Sequence, residues 1–313
     1  MARLEDMETF VRVVEAGSIS GAAERLGIAK SAVSRRIADL EERLGAQLFR
    51  RTTRKLNLTD TARRYYARCI HILADVQEAE QAVSDEHGTL RGRLRVAVPL
   101  SFGLLHLGPA IEAFMEQHPE VEFDLDFNDR QVDLLGEGFD VALRIADLPD
   151  SSLIARRLAP IHLIACASPT YLAEHGMPQT PEELANHHCL TYSNMVNPGV
   201  WRYIGSDGKP ASVRVHSRLQ ANNGDFLCQA AIAGQGITRQ PSFLVYKAIE
   251  QGLLVPVLCD YGWPSVNAYA VYPQTRHLSQ RVRAFVDFLA VRFSGVPYWD
   301  EFLNKGAGPV GEG

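Results

Sequence analysis

The sequence predicts a multidomain chain of α and α/β class, with a small helical domain first and a larger two-lobed domain after it. Three observations support this prediction. Apolar residues recur at helical spacing in residues 4–44, residues 59–87 contain neither Pro nor Gly, and strands alternate with helices from residue 93 to residue 293. A length of 313 residues is enough for two or three domains.

Residues 4–44 predict three helices, at 4–16, at about 20–26, and from Lys30 or Ser31 to Leu44. Gly27 and Gly45 stand where a helix ends with a left-handed residue. In the third helix one face is apolar, and it comprises Val33, Ile37, Leu40 and Leu44. The opposite face is small and polar, and it comprises Ser31, Ser34, Arg35 and Ala38. The pattern predicts a helix-turn-helix.

The polar face of the third helix has the chemistry to meet a nucleic acid. Hydroxyl and guanidinium groups reach phosphates and base edges, and small residues allow a close approach to a groove. The charge supports this interpretation, because residues 30–68 hold eleven Lys or Arg and four acids. Residues 69–313 hold 18 basic and 28 acidic residues, a net charge of −10. The alternative is a structural pair of amphipathic helices, which is a common arrangement.

The segment after Gly45 predicts a wing. Leu48-Phe49 and Leu56-Leu58 form two short strands around a basic turn in this prediction. The turn carries Arg50, Arg51, Arg54 and Lys55, which suit phosphate contacts; the alternative is a solvated loop. Residues 1–59 are thus predicted to be a winged helix-turn-helix domain, with DNA contacts from Lys30, Ser31, Ser34, Arg35, Arg36, Arg50, Arg51 and Arg54.

Residues 60–88 predict one long linker helix. Apolar residues fall on alternating four- and three-residue steps at Ala62, Tyr66, Cys69, Leu73, Val76 and Val83, with Glu80 interrupting the series. This spacing favours a two-stranded seam with a second copy of the chain. A helix packed on its own domain is the alternative.

Residues 92–300 predict a two-lobed α/β domain. Strands are expected at 93–99, 121–127, 140–145, 162–168 and 269–273, and helices at about 103–117, at 169–176, within 222–238 and at 278–293. This alternation indicates a mainly parallel sheet, with lobe I at about 92–165 and 267–295 and lobe II at about 166–266. Residues 304–313 are expected to be a disordered tail.

A ligand site is expected where strand ends meet helix starts. Leu100, Ser101 and Phe102 follow a strand end, and hydroxyl and backbone N–H groups there suit an anion. Asn222 and Asn223 precede another helix, and Arg144 ends a strand. Asn128 and residues 194–198 are further candidates. The alternatives are that Ser101 caps its helix and that Arg144 pairs with Asp147. We expect a small anionic effector.

Several classes of protein lack support in the sequence. No GxSxG, P-loop, HExxH or Rossmann fingerprint is present, so neither an enzyme nor a cofactor is expected. The five cysteines show no metal or disulfide spacing, and His187-His188 is interpreted as part of a surface loop. A signal peptide and a membrane-spanning run are absent, which predicts a cytoplasmic protein and disfavours a transport receptor. A cytoplasmic small-molecule receptor or an enzyme with an accessory DNA-binding domain remains as an alternative.

Residues 10–59 contain a series of short motifs in order, which include Phe10, Ala16-Gly17-Ser18, Ala22-Ala23, Ser31-Ala32-Val33-Ser34, Leu48-Phe49-Arg50-Arg51 and Leu58-Thr59. With these motifs the segment resembles the N-terminal domain of LysR-type transcriptional regulators. The sequence departs from the family at Ala29, where a Ser or Thr able to cap the helix is usual, and after Thr59, where Ala-Gly is usual.

Residues 92–300 also resemble the family's effector domain, whose two-lobed fold is like that of periplasmic solute receptors. The matching pieces include Glu137-Gly138-Phe139-Asp140, Ala167-Ser168-Pro169 and Asn223-Gly224-Asp225. The resemblance implies operator DNA and a small-molecule effector as partners. It further implies a homodimer through the linker helix, a homotetramer, and contact with RNA polymerase when the protein activates transcription.

Overall fold

The computed structural model describes residues 2–51, 56–84, 89–146, 153–274 and 278–305. The first part of the chain contains α1 (Ala2–Ala16), α2 (Ile19–Leu26), α3 (Lys30–Leu44), β1 (Phe49–Arg51), β2 (Leu56–Leu58) and α4 (Asp60–Ser84). The predicted helix-turn-helix, wing strands and linker helix are therefore all present. Most of the predicted disordered tail, residues 306–313, lies outside the described residues.

The remaining elements follow in chain order. They are β3 (Arg91–Val98), α5 (Leu100–Phe102), a π-helical turn (Gly103–Leu107), α6 (Gly108–Gln117), β4 (Glu120–Phe127), α7 (Leu134–Glu137), β5 (Val141–Ala146), β6 (Leu153–Ile161), β7 (Leu163–Ala167), α8 (Pro169–His175), a 3-10 helix (Pro181–Asn186), β8 (His188–Tyr192), β9 (Val200–Ile204), β10 (Pro210–Arg214), β11 (His216–Ala221), α9 (Gly224–Ile232), β12 (Ile237–Pro241), α10 (Ser242–Glu250), β13 (Val255–Pro256), β14 (Val266–Pro273), α11 (Gln280–Arg292), a 3-10 helix (Tyr298–Asp300) and α12 (Glu301–Lys305).

The N-terminal domain is held together by the apolar faces of its helices. Phe10, Val33, Leu40 and Leu48 are fully buried in one core. Gly27 and Gly45 end α2 and α3 in the left-handed conformation, which glycine adopts without strain. Leu44, predicted on the apolar face, is the last residue of α3 and is 39% exposed.

Much of the apolar stripe of the linker helix α4 packs against the core of the N-terminal domain. Ala62 and Cys69 are buried in the N-terminal core, and Tyr66 and Leu73 pack against it. The alternative of a helix packed on its own domain therefore applies to the first half of α4. Val76 is not part of that core, and the side chain of Val83 lies outside the described residues.

Two five-stranded sheets form the rest of the chain. The first has the order β4-β3-β5-β14-β6 and forms lobe I, and the second has the order β11-β8-β12-β7-β13 and forms lobe II. Each sheet contains two parallel and two antiparallel pairings. The prediction of a mainly parallel sheet is therefore wrong. The antiparallel pairings are β14 with β5 and β6 in lobe I, and β7 with β12 and β13 in lobe II.

The chain passes from lobe I to lobe II at His162, between β6 and β7. The His162 carbonyl accepts a hydrogen bond from the Ser242 N–H (2.7 Å), and its Nδ1 lies 2.9 Å from the Asp300 carboxylate. That carboxylate raises the pKa of His162 above its usual value. The crossing is thus tied both to lobe II and to the C-terminal segment.

Candidate DNA-binding and effector sites

The recognition helix α3 presents a polar face to solvent. Lys30, Ser31, Ser34 and Arg35 are exposed, whereas Val33, Ile37 and Leu40 are buried on the opposite side. The helix begins at Lys30, and Ala29 provides no side-chain cap. By contrast, Ser18 caps α2 by accepting a hydrogen bond from the Gly21 N–H at 3.0 Å.

Two basic residues of α3 are turned away from that face. Arg36 donates to the Glu5 carboxylate (2.9 Å) and to the Thr9 hydroxyl (3.2 Å), both on α1. Arg43 donates to the Asp6 carboxylate, which also lies on α1, at 3.0 Å. Arg36 was predicted to contact DNA, but the structure engages its guanidinium within the domain. These pairs fix the orientation of α3 on α1.

The wing is attached to α3 by one carboxylate. Glu41 Oε1 accepts hydrogen bonds from the Leu48 N–H (2.7 Å) and the Phe49 N–H (3.2 Å) at the start of β1. Arg50 is exposed on β1. The side chain of Arg51, and Arg54 with Lys55 at the turn, lie outside the described residues. Arg50 therefore lies on a strand that is hydrogen-bonded to the recognition helix α3 through Glu41.

The predicted effector donors of lobe I already face carboxylates of the protein. The Leu100 N–H donates to Asp129 at 3.0 Å, and the Ser101 hydroxyl donates to Asp225 of lobe II. Burial, and secondarily the Asp129 carboxylate, raise the pKa of Tyr192 of lobe II to about 12. Asp129 and Asp225 thus link the two lobes at the place where an anion was expected.

The other predicted effector residues are less well placed for a ligand. The Phe102 ring is 1% exposed and packs against Phe243, Phe293 and Trp299, so it belongs to the core rather than to the cleft. Asn223 caps α9 by accepting from the Phe226 N–H at 2.8 Å. Asn222 is exposed beside it.

Arg144 is a partly buried cation of lobe I. It donates to the Val132 carbonyl at 2.7 Å, and burial lowers its pKa. Asp147, the ion-pair partner that the sequence left open, lies outside the described residues. The Asn128 side-chain N–H₂ group is buried and meets no acceptor among the described residues.

Neither a metal site nor a reactive cysteine stands out. No metal-binding group of His, Cys, Asp or Glu occurs in the described ranges. Four cysteines are buried, and burial raises the pKa of Cys166 and Cys228. The predicted surface loop is wrong for His187, which is 8% exposed and lies 3.1 Å from the Tyr171 hydroxyl. None of the helices described here is both long and apolar enough to cross a membrane.

Sequence reasoning missed one cation. Arg239 on β12 lies over the rings of Trp201 and Trp263, where burial lowers its pKa to about 10. The sequence offers little signal for it, because the strand segment Ile237–Pro241 also carries the polar residues Thr238 and Gln240.

Comparison with known proteins agrees with this architecture. Residues 4–63 match the family described as "Bacterial regulatory helix-turn-helix protein, lysR family", and residues 87–294 match the "LysR substrate binding domain". The HTH-type transcriptional regulator CrgA of Neisseria meningitidis serogroup C is 37% identical over 91% of this chain and 95% of its own length. DmlR, an HTH-type transcriptional regulator of Escherichia coli, is 36% identical over 93% of this chain and 94% of its own length.

Solved structures are similar over almost the whole chain. The full-length structure of AphB, a Vibrio cholerae virulence activator, has a TM-score of 0.60 and 32% identity, and covers 93% of this chain and 99% of its own. CrgA from Neisseria meningitidis gives a TM-score of 0.60 with 36% identity and the same coverage. The chain belongs to the LysR family of transcriptional regulators, with a helix-turn-helix DNA-binding domain and an effector-binding regulatory domain.

Proposed function

We propose that this protein is a sequence-specific regulator that binds operator DNA as a homodimer and changes its promoter contacts when a small effector binds. The observation that carries this proposal is the orientation of α3. Its exposed face holds Lys30, Ser31, Ser34 and Arg35, while Arg36 and Arg43 tie the helix to α1. Because these ion pairs fix α3 on its buried side, the helix can enter the major groove without a change in the domain's structure.

The exposed residues divide into two tasks. Ser31, Ser34 and Arg35 are the candidates for base edges, because a hydroxyl or guanidinium distinguishes donor and acceptor patterns in the major groove. Lys30, Arg50, Arg51 and Arg54 are the candidates for phosphates, which supply affinity without sequence choice. Arg36 is not part of this proposed interface, because its guanidinium is engaged by Glu5 and Thr9.

The distal part of α4 is proposed as the dimer seam. Ala62, Cys69 and their neighbours serve the N-terminal core, whereas Val76 lies further along the helix and outside that core. A homotetramer, and contact with RNA polymerase during activation, extend the proposal on the basis of the family. With chromosomal DNA as its partner, the protein acts in the cytoplasm, as a regulator rather than an enzyme.

A salt titration tests the DNA-binding part. Anisotropy of a labelled random duplex should show binding that weakens steeply as salt rises, since each phosphate contact releases counterions. Arg50→Ala should make the slope shallower by roughly one unit, whereas Arg214→Ala, an exposed cation of lobe II, should leave it unchanged. No binding at low salt would contradict the proposal.

The effector part is tested separately. Leu100, Ser101, Arg144, Asn222 and Asn223 stay as candidate effector residues, and a small carboxylate is the expected class of ligand. Thermal shift of the full chain against small carboxylates and aromatic acids should give a stabilising compound. Footprinting of the promoter with and without that compound then shows whether the DNA contacts change.

A further inference from the structure

Arg239 is a cation held in an aromatic setting on lobe II. Its guanidinium carbon lies 5.2 Å from the ring centre of Trp201 and 5.7 Å from that of Trp263. Its N–H groups reach the Arg202 carbonyl (3.3 Å) and the Met195 sulfur (4.0 Å). No carboxylate forms an ion pair with Arg239 among the residues that the structure describes.

A cation in this position favours an anionic partner. Arg239 is half-buried, and burial disfavours its charged form and lowers its pKa to about 10. Indole faces offset part of this penalty, but they do not accept the in-plane N–H bonds of a guanidinium. A carbonyl and a thioether are neutral acceptors, and the thioether is a weak one. A carboxylate would supply both the charge and the acceptor atoms.

A second donor is unsatisfied nearby. The Trp263 Nε1–H is buried and meets no acceptor among the described residues, although its ring faces Arg239. Buried indole N–H groups usually have a hydrogen-bond partner. The Arg239 guanidinium and the Trp263 indole N–H are both donors, and among the described residues neither is paired with a carboxylate.

The surrounding residues set the shape of the ligand. Met195 is 46% exposed and Val196 is 97% exposed in the segment that joins β8 to β9. Apolar side chains that are open to solvent can cover the body of an organic molecule whose acid group meets Arg239.

We propose that Arg239, with Trp201 and Trp263, binds the carboxylate of an organic acid with a flat or apolar body. The proposal rests on the effector-binding function proposed above and names the cation that recognises the effector. It adds Arg239 to the candidate effector residues and gives it the contact with the acid group, because the donors of Leu100 and Ser101 face Asp129 and Asp225.

Tryptophan fluorescence provides a direct test on the full chain. The sequence has three tryptophans, and the third, Trp299, is fully buried in the core of lobe I. Benzoate, phenylacetate and butyrate are titrated, with benzamide as the neutral counterpart of benzoate and inorganic phosphate as a small anion. At least one carboxylate should give a saturable change, benzamide should give none, and Trp263→Phe should reduce the signal.

Two variants of Arg239 and one control variant decide the role of the charge. Arg239→Met should weaken carboxylate binding by about tenfold or more, because charge-assisted hydrogen bonds are lost. Arg239→Lys keeps the charge without the planar fork and should give an intermediate loss. Arg202→Met removes an exposed cation on β9 but keeps the carbonyl that contacts Arg239, so binding should persist.

The outcomes separate this inference from the wider proposal. Equal carboxylate binding in wild type, Arg239→Met and Arg239→Lys would overturn the inference. It would also be overturned if no carboxylate gave a saturable fluorescence change up to millimolar concentration, or if phosphate bound more tightly than every carboxylate. If a carboxylate alters promoter footprints equally in wild type and Arg239→Met, the effector function stands and the site is wrong. If it binds at Arg239 without altering the footprint, the site stands and effector control is wrong.

Discussion

Two adjacent arginines of α3 should have opposite roles, and their separation provides the sharpest test of the proposed DNA interface. Arg35 is exposed, and no ion pair involving it is found in the described part of the chain. The Arg36 side chain is 32% exposed and pairs with Glu5 and Thr9 on α1. The perturbations are Arg35→Ala and Arg36→Ala, which remove the same group from neighbouring positions.

The expected magnitudes differ in kind. If Arg35 contacts a base edge, its loss should reduce discrimination between operator and unrelated DNA by about 1–3 kcal/mol, or roughly 5- to 150-fold in affinity ratio. The Arg36–Glu5 pair is partly exposed and contributes about 0–1 kcal/mol to stability, and the bond to Thr9 adds about 1 kcal/mol. Arg36→Ala should therefore destabilise the N-terminal domain by about 1–2 kcal/mol without changing sequence preference.

The assay begins with duplexes selected from a random library by the wild-type chain. Anisotropy then compares the selected duplex with a scrambled one at a single salt concentration, and far-UV circular dichroism follows unfolding of the helical domain. Arg35→Ala should lose discrimination and keep its stability, whereas Arg36→Ala should do the reverse. Unchanged discrimination in Arg35→Ala would refute its role as a base-reading residue, and lost discrimination in a folded Arg36→Ala would refute the division of roles.

Three further predictions concern assembly, backbone and pH. Val76→Asp should dissociate the dimer in sedimentation velocity by placing a carboxylate in the distal seam of α4, and an intact dimer would contradict that seam. Gly236→Ala should destabilise lobe II by about 1–3 kcal/mol, since φ is +151° and a Cβ would lie 2.3 Å from the His188 carbonyl oxygen. Gly208→Ala, at φ +76° with nothing within 4 Å, is its control in urea unfolding and should cost less. Burial lowers the pKa of His106 to about 4. Between about pH 6.5 and pH 4 the unfolded chain therefore binds a proton that the folded chain does not. The free energy of unfolding should fall over that range by up to about 3 kcal/mol as the pH is lowered. The wild-type urea midpoint should therefore drop more between pH 7 and pH 5 than that of His106→Gln, and parallel drops would contradict the assignment.

The helical domain was predictable because its chemistry repeats at a fixed period. The buried Val33, Ile37 and Leu40 and the exposed Ser31, Ser34 and Arg35 follow directly from helical spacing. The inward position of Arg36 follows from the same spacing, since it stands three residues after Val33 and four before Leu40. A basic side chain at the edge of the apolar face can reach an acid of the neighbouring helix, as Arg36 reaches Glu5.

The linker helix shows where periodicity is ambiguous. An apolar stripe with four- and three-residue steps is compatible with a partner helix and with the helix's own domain. Cys69 and Tyr66 turn towards Phe10 because α4 starts immediately after the wing and returns across α1. Sequence spacing carries no information about that return, so the first half of the predicted seam was assigned to the wrong neighbour.

The effector region was less predictable because its contacts join distant parts of the chain. Ser101 and Asp225 are 124 residues apart and belong to different lobes. Strand-end reasoning found Ser101 as a donor but not the carboxylate that accepts from it. The β9–β10 hairpin brings Trp201 to Arg239 on β12, a contact between residues 38 positions apart that no local sequence pattern indicates.

The charges of the cleft argue against a simple anion site at Ser101. Asp129 accepts from the Leu100 N–H and Asp225 accepts from the Ser101 hydroxyl, so an entering carboxylate would meet two negative groups on the donors meant for it. Arg239 has the opposite character, with neutral acceptors, two aromatic faces and beside it an indole N–H that meets no acceptor in the described part of the chain. An acid held at Arg239 leaves both carboxylate links between the lobes intact. An acid held at the Ser101 hydroxyl would displace the Asp225 carboxylate and so break that contact between the lobes.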